Sequence, residues 1–269
     1  MTAILQYDFM RRAFIVGVLL AVVIPCVGVI VVLKRLSMIG DALSHSSLAG
    51  VAAGLIMGFN PLLGAGAACV AAALAIEAIR KKIPRYSEIS IAVVMSAGIG
   101  LAGVLSGFVG NAANFNSFLF GSIVAISNFE MRLVIFVSLA VAAVFVLLYK
   151  ELFFIALDEQ AARIAGVPTG TVNFIFTILT AFTVSVAART VGALIVSSLM
   201  VVPVACAMQL AGSYRQTVIL SVCFAVLFTL CGLTLSYYAR LKPGATIVLT
   251  GVFCLTLILI GKKIMRRGS

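Results

Sequence analysis

Asp41 and His45 stand four residues apart in the apolar segment 37–58, and His45 is the one histidine in the chain. On a helix this spacing places a carboxylate and an imidazole on one face, about a turn apart, where together they can ligate a cation. The opposite face carries Gly50 and Gly54, which allow a neighbouring helix to pack closely. The segment is therefore predicted to be a packed helix with one polar face suited to metal binding.

The same two residues also admit a purely structural interpretation. Asp41 follows Lys34 and Arg35 closely, so it could cap the helix at the membrane interface, where charge is tolerated. His45 would then be a packing residue. We favour the functional interpretation because ionisable residues within membrane spans are usually functional.

The composition is that of a polytopic membrane protein. Of the 269 residues, 63% are hydrophobic and 10% are charged, and the mean hydropathy of +1.25 is far above that of soluble domains. The net charge of +11 does not indicate nucleic acid, because the basic residues cluster between apolar segments and so mark a cytoplasmic membrane surface. The six cysteines have no CxxC or ligand-type spacing and are expected to be buried apolar residues.

Nine segments are apolar and long enough to cross a bilayer core of about 30 Å, which takes about 20 helical residues. The first is expected to be a permanent helix rather than a cleavable signal peptide, because it can span and basic residues follow it. Pro25 and Pro203 fall inside spans and are expected to kink them. The sequence predicts an all-α, polytopic transmembrane helical bundle of eight or nine spanning helices, forming one domain over residues 1–269. The segments are 13–33, 39–58, 61–80, 89–109, 131–149, 171–189, 191–211, 216–238 and 244–262.

The distribution of lysine and arginine predicts the orientation of the bundle. Most of the 19 basic residues fall in four connections and in the C-terminal tail. By the positive-inside rule these parts, including the C-terminus, lie in the cytoplasm, and the N-terminus lies outside. Arg11 and Arg12 fit this arrangement poorly, so an eight-span bundle or a short N-terminal interfacial segment stays open. The four connections are 34–38, 80–88, 150–170 and 212–215.

The outer connection 110–130 contains a short apolar run, 118–126, behind three asparagines. This run is too short to cross the bilayer and more apolar than an ordinary loop. A re-entrant or interfacial segment is predicted here, with an ordered loop as the alternative.

The cytoplasmic connection 150–170 has the pattern of a short capped helix. Asp158 is a suitable N-cap, Glu159 favours the first turn, and Gly166 with Pro168 ends the helix. A helix this short gains little stability alone. From the residues alone, a solvated linker helix is the simpler interpretation.

Other sequence features exclude several function classes. Glu77 precedes Lys81 by four residues and is expected to form an ion pair with it. No acidic residue follows Glu159, so the chain has too few intramembrane carboxylates for a proton-coupled carrier. It also lacks the GxxxxGK[ST], HExxH and GxSxG motifs, so neither ATP binding by a phosphate loop nor intramembrane hydrolysis is expected, and the chain is predicted not to be an enzyme.

Five segments resemble the metal-ion permease family of ABC importers. They are IGDALSHSSLAGVAAGL at 39–55, LFGSIVAIS at 119–127, LDEQAARIAGV at 157–167, VGALIVSSLMVVPVACAMQLA at 191–211 and PGATIVL at 243–249. Together they cover nearly the whole chain in order. The 119–127 segment is most similar to the zinc-importing branch, as against the manganese or iron branch.

This resemblance implies a function and partners. Two copies of the chain would form a pathway across the bacterial cytoplasmic membrane, separate ATPase subunits would bind beneath, and an extracytoplasmic metal-binding protein would deliver the ion. Zinc is the expected substrate, with manganese or iron as the alternative and no permanently bound cofactor. The resemblance assigns metal contact to Asp41 and His45. It also replaces the linker interpretation with a coupling helix that contacts the ATPase through Asp158, Glu159, Ala162 and Gly166.

The ligand set of one copy is incomplete under this interpretation. Zinc prefers four ligands, and a two-fold axis through the pathway would supply Asp41 and His45 twice. The helices after residue 170 carry no histidine or carboxylate. Further ligands could come only from Asn173, Ser185, Ser197, Ser198, Cys206, Met208 or backbone carbonyls.

Two other functions are alternatives to a metal-ion permease. One is a related permease that carries a chelated metal or a vitamin. The other, from a different class, is a stand-alone carrier or an intramembrane enzyme.

Overall fold

The computed structural model describes residues 8–83, 86–110, 121, 126–193 and 195–267, and the regular structure of this part is helical. The predicted all-α class is confirmed. The predicted segment 118–126 lies almost entirely outside the described residues. The helices are α1 (Asp8–Leu33), α2 (Ile39–Met57), α3 (Pro61–Lys82), α4 (Ser87–Ser106), α5 (Asn128–Leu147), α6 (Tyr149–Leu157), α7 (Glu159–Ile164), α8 (Thr169–Ala187), α9 (Val196–Leu210), α10 (Tyr214–Ala239) and α11 (Pro243–Arg267), with a π-helical turn at Ala188–Gly192 after α8.

Seven described helices are long and apolar enough to cross a membrane: α1, α3, α4, α5, α8 with its π-helical turn, α10 and α11. The two other expected spans form shorter or more polar helices. α2 has 19 residues and carries the polar pair. α9 has only 15 residues, because the first part of the expected span 191–211 belongs to the π-helical turn. The predicted count of eight or nine spans is therefore approximate. Pro25 and Pro203 both lie inside helices, as predicted.

The packing of α2 against α3 is a direct backbone contact. A Cβ atom added at Gly50 would overlap the carbonyl group of Gly64, and one added at Gly64 would overlap that of Gly50. Further along, the thiol of Cys69 donates a hydrogen bond to the carbonyl oxygen of Leu43 at 3.3 Å. The two helices therefore run antiparallel, with Leu43 level with Cys69.

A second close approach holds α1 against α9. A Cβ atom at Gly28 would overlap the carbonyl oxygen of Met200, and Met200 is completely buried. Gly40 of α2 in turn lies against Ser197 of α9, so α2 is packed between α3 on one side and α9 on another. The helix with the polar pair is thus enclosed by neighbours along much of its length.

The cysteines of the chain are all free. Cys69 and Cys206 are buried as expected, whereas Cys223 and Cys231 are exposed on α10. Exposed cysteines on a membrane-spanning helix face lipid and so remain in an apolar environment. Their position differs from the prediction, but they still act as small apolar residues.

The glycine contact between α2 and α3 makes a prediction for stability. Gly50→Ala should lower the thermal stability of the purified protein, because the added methyl group must push two backbones apart, at a cost of about 1–3 kcal/mol. Gly103→Ala is the matched control, since nothing lies within 4 Å of its Cβ position on α4. The control should be neutral or slightly stabilising, because alanine favours helix more than glycine does. Equal melting temperatures for the two variants in detergent would contradict the prediction.

Candidate functional site

Asp41 and His45 lie in the first two turns of α2, and Asp41 does not cap the helix. The N-cap residue is Met38, and it makes no side-chain capping hydrogen bond. The pairing of Leu43 with Cys69 places both side chains level with the central part of α3. The interpretation of Asp41 as an interfacial cap is therefore wrong, because α2 begins well inside the length of its neighbour.

The two side chains are half-buried. Within the described part of the chain, neither forms a hydrogen bond or an ion pair. A carboxylate and an imidazole at this depth, each without a protein partner, are free to accept a cation.

Two serine hydroxyls lie on or beside the first turns of α2. Ser44 is 1% exposed, and its Oγ has no hydrogen-bond partner among the described residues. Ser197, at the start of α9, donates a hydrogen bond of 3.5 Å to the carbonyl oxygen of Ser37. Of the later residues considered as further ligands, Ser197 is thus the one that the structure brings against the first turn of α2.

Thiols are not part of this group. Cys69 is fully buried and bonds to the backbone of α2. Leu43, which receives that bond, lies on a different face of α2 from Asp41 and His45 by helical geometry. No cluster of three or more histidine, cysteine, aspartate or glutamate residues occurs in the described ranges. One copy of the chain therefore provides two strong ligands.

Glu77 has a structural role. It is 7% exposed and pairs with Arg80 at 2.9 Å, whereas Lys81 is 4.0 Å away. The predicted ion pair with Lys81 is confirmed, but Arg80 is the closer partner. A carboxylate already neutralised in this way is poorly suited to bind a passing ion.

The helix α7 forms as predicted. The carboxylate of Asp158 accepts hydrogen bonds from the amides of Gln160 and Ala161, both at 2.9 Å. At the other end Gly166 has φ +87, and the amide of Val167 donates to the carbonyl oxygen of Ala162 at 3.0 Å. This is the Schellman arrangement, in which a left-handed glycine ends the helix.

The exposure of the α7 side chains corrects one assignment. Ala162 is completely buried within the chain, so it seats α7 on the permease and does not face outward. Ile164, which the sequence did not single out, is 88% exposed. In the sequence, the signal was an isoleucine at the end of a short helix of polar and small residues. Such an apolar side chain is stabilised when a partner covers it.

Glu159 connects α7 to the helix bundle. Its Oε1 accepts a hydrogen bond of 2.6 Å from Nδ2 of Asn173 on α8, and Oδ1 of Asn173 accepts one of 2.5 Å from Nζ of Lys34. Lys34 lies in the turn after α1. Burial, reinforced by the charge of Arg80, lowers the pKa of Lys34 to about 8. Sequence reasoning considered Asn173 only as a metal ligand and missed this contact.

These residues border an open cleft of about 670 Å³ between the ends of α1, α3, α6 and α8. Its basic side chains exceed its acidic ones. The cleft therefore lies on the side of the bundle that the positive-inside rule assigns to the cytoplasm. Its basic residues are Lys34, Arg35, Arg80, Lys81 and Arg163.

Comparison with known proteins identifies relatives along nearly the whole chain. The "Probable metal transport system membrane protein" of Treponema pallidum is 35% identical over 257 residues, covering 95% of this chain and 96% of the relative. The manganese transport system membrane protein MntC of Listeria monocytogenes is 31% identical over 247 residues, covering 91% and 88%. The family resemblance is thus confirmed, whereas the zinc branch finds no support among these names.

Two solved structures share the fold. PsaBC from Streptococcus pneumoniae, in complex with Fab, matches with a TM-score of 0.85 and 26% identity, covering 96% of this chain and 93% of that chain. A metal-chelate type ABC transporter in an inward-facing conformation matches with a TM-score of 0.72 at 16% identity, covering 94% and 86%, which shows the fold alone. The model of the ABC 3 transport family matches residues 6–262. This chain therefore belongs to the ABC 3 transport family.

Proposed function

We propose that the chain is the permease subunit of an ATP-driven importer and carries a divalent metal ion, manganese in preference to zinc, into the cytoplasm. The observation that carries the proposal is the pair Asp41 and His45, half-buried at the level of the middle of α3 and without partners among the described residues. Leaving ionisable groups unpaired inside a membrane protein is unfavourable, so such groups are kept for a function.

The names of the relatives favour manganese over zinc. Carboxylate and water oxygens suit manganese and the imidazole of His45 suits zinc, so the pair itself can hold either ion. Cys69 bonds to the backbone of α2, so its thiol is not assigned to the site. The related MntC protein is named for manganese transport. The sequence-based expectation of zinc is thus replaced by its alternative.

Two copies of the chain would complete the ligand set. A two-fold axis passing beside α2 would bring together two carboxylates and two imidazoles, a set related by symmetry and made from one residue pair. Water would fill the remaining positions. Incomplete protein ligation suits a transit site, which must hold an ion long enough to pass it on and still release it.

The ATPase subunit would bind at α7. Asp158 and Gly166 fix the two ends of this helix, and Ala162 seats it on the permease, so the exposed Ile164 is left to enter a groove on the partner. An extracytoplasmic binding protein would deliver the ion at the opposite end. A bare cation is favoured over a chelate or vitamin, because a carboxylate and an imidazole on adjacent turns match a small ion.

The metal pathway is tested by separate substitutions of its two ligands. Asp41→Ala and His45→Ala should each reduce manganese uptake by more than about tenfold, the range reached even when outer partners of metal ligands are removed. Uptake of labelled manganese and of labelled zinc is measured separately in vesicles containing the chain, its ATPase and its binding protein. Glu88→Gln, which alters an exposed carboxylate on α4, is the control and should transport normally.

The outcomes of this assay separate the site from the ion. Normal uptake by both alanine variants would exclude the site. Zinc uptake without manganese uptake, lost in the variants, would retain the site and restore the original choice of metal. Uptake of neither ion by the native complex would exclude the proposed function.

The ATPase contact makes a second prediction. Ile164→Asp should weaken association with the ATPase by about tenfold or more, because burying an unpaired carboxylate in a partner groove is strongly unfavourable. Leu241→Asp is the control, since Leu241 is 55% exposed and follows α10 at the end remote from α7. Co-purification of the two subunits measures the effect, and equal recovery with both variants would contradict the assignment.

A further inference from the structure

The turn after α1 meets α7 and the first part of α8 through a short chain of hydrogen bonds. Lys34 donates to Asn173 at 2.5 Å and Asn173 donates to Glu159 at 2.6 Å. Asn173 is only 3% exposed. Lys34 is also held over the ring of Phe176, with Nζ 5.8 Å from the ring centre. The contact thus has a defined geometry inside the protein.

The side-chain amide at position 173 is suited to this place. Its oxygen accepts from an ammonium group while its nitrogen donates to a carboxylate, so one neutral residue satisfies a cation and an anion at once. An apolar residue would leave both charges without their partner. An aspartate would accept from Lys34, but it could not donate to Glu159 and would repel it, because both groups would be negatively charged carboxylates.

The turn that follows Lys34 leads directly into the helix with the polar pair. Arg35 has φ +57, a left-handed conformation that is unfavourable for a residue with a side chain. The amide of Leu36 donates to the carbonyl oxygen of Val31 at 2.8 Å, and that of Ile39 donates to Leu36 at 2.8 Å. The turn is therefore compact and hydrogen-bonded. A displacement of Lys34 is expected to move the first residue of α2 with it.

We infer that Glu159, Asn173 and Lys34 form a coupling relay, which transmits movement of α7 to the 34–38 turn and so to Asp41. This inference rests on the proposed function, since it joins the ATPase contact to the metal site. Asn173 acts as a positioning residue and does not touch the ion. The relay uses the hydrogen bond that joins the carboxylate of Glu159 to Asn173, and it ends at Lys34, two residues before Leu36, whose amide closes the turn.

The directionality of the amide provides the test. Asn173→Asp should lower the number of manganese ions taken up per ATP by at least about fivefold, because hydrogen bonds to charged groups contribute about 1.5–3 kcal/mol. Adding Glu159→Gln should restore the ratio. The amide introduced at position 159 can donate to the new carboxylate, which still accepts from Lys34. Asn128→Asp, the same change at an exposed position at the start of α5, is the control and should leave the ratio unchanged.

A second readout does not depend on transport. Hydrogen exchange of the backbone amides 34–41 is measured in the permease alone and with the ATPase bound. In native protein, binding of the ATPase should change the exchange rate of these amides at least about twofold, because local opening of the turn reports its coupling to α7. The change should be absent in Asn173→Asp and should return in the double variant.

The two readouts distinguish the possible failures. An unchanged ratio and unchanged exchange response in Asn173→Asp would overturn the relay, and so would a loss that Glu159→Gln does not repair. If the native complex takes up no metal, the proposed function fails. In that case the relay is tested separately, by the hydrogen-exchange response to ATPase binding and by its recovery in the double variant.

Discussion

The close approach of α2 to α3 is the constraint on which the rest of the structure depends. At Gly50 and Gly64 each helix lies against the other's backbone, with no side chain between them. Within a membrane, apolar side chains gain little by leaving lipid for protein, so close van der Waals contact between small residues is a main source of helix association. Because the pairing is antiparallel, it also fixes the level of α2 along α3. That level brings Asp41 and His45 into the middle of the bundle.

The ionisable groups differ in what surrounds them, and this difference separates structural from functional charges. Glu77 is neutralised by Arg80, and Glu159 is joined through Asn173 to Lys34. Within the described residues, the acid and imidazole of α2 have no such partner. Desolvating a charge without a counter-charge is unfavourable. The unpaired pair is therefore the place where the protein gives up stability, and a passing cation is the partner that would compensate it.

The helix α7 and the pair Asp41 and His45 lie at different depths, yet few residues separate them along the chain of contacts. α7 is seated by Ala162 and capped at both ends, so it can move as a unit. Its contact with α8 through Asn173 reaches the end of α1, and the compact turn beyond Lys34 begins α2. A permease must change the exposure of its site without losing its fold. Rigid pieces joined at one polar contact and one tight turn provide a physical route for that change.

The sequence by itself determined the features that depend on neighbouring residues. Hydropathy and segment length gave the helical membrane class, a spacing of four placed Asp41 and His45 on one face, and local capping chemistry set the ends of α7. The choice of zinc rested on one short segment, and the relatives favour manganese. Only the tertiary structure decided the depth of the pair, the inward direction of Ala162 and the contact of Lys34 with Asn173. Those two residues are 139 positions apart, and contacts between remote segments arise from packing, which no local pattern encodes.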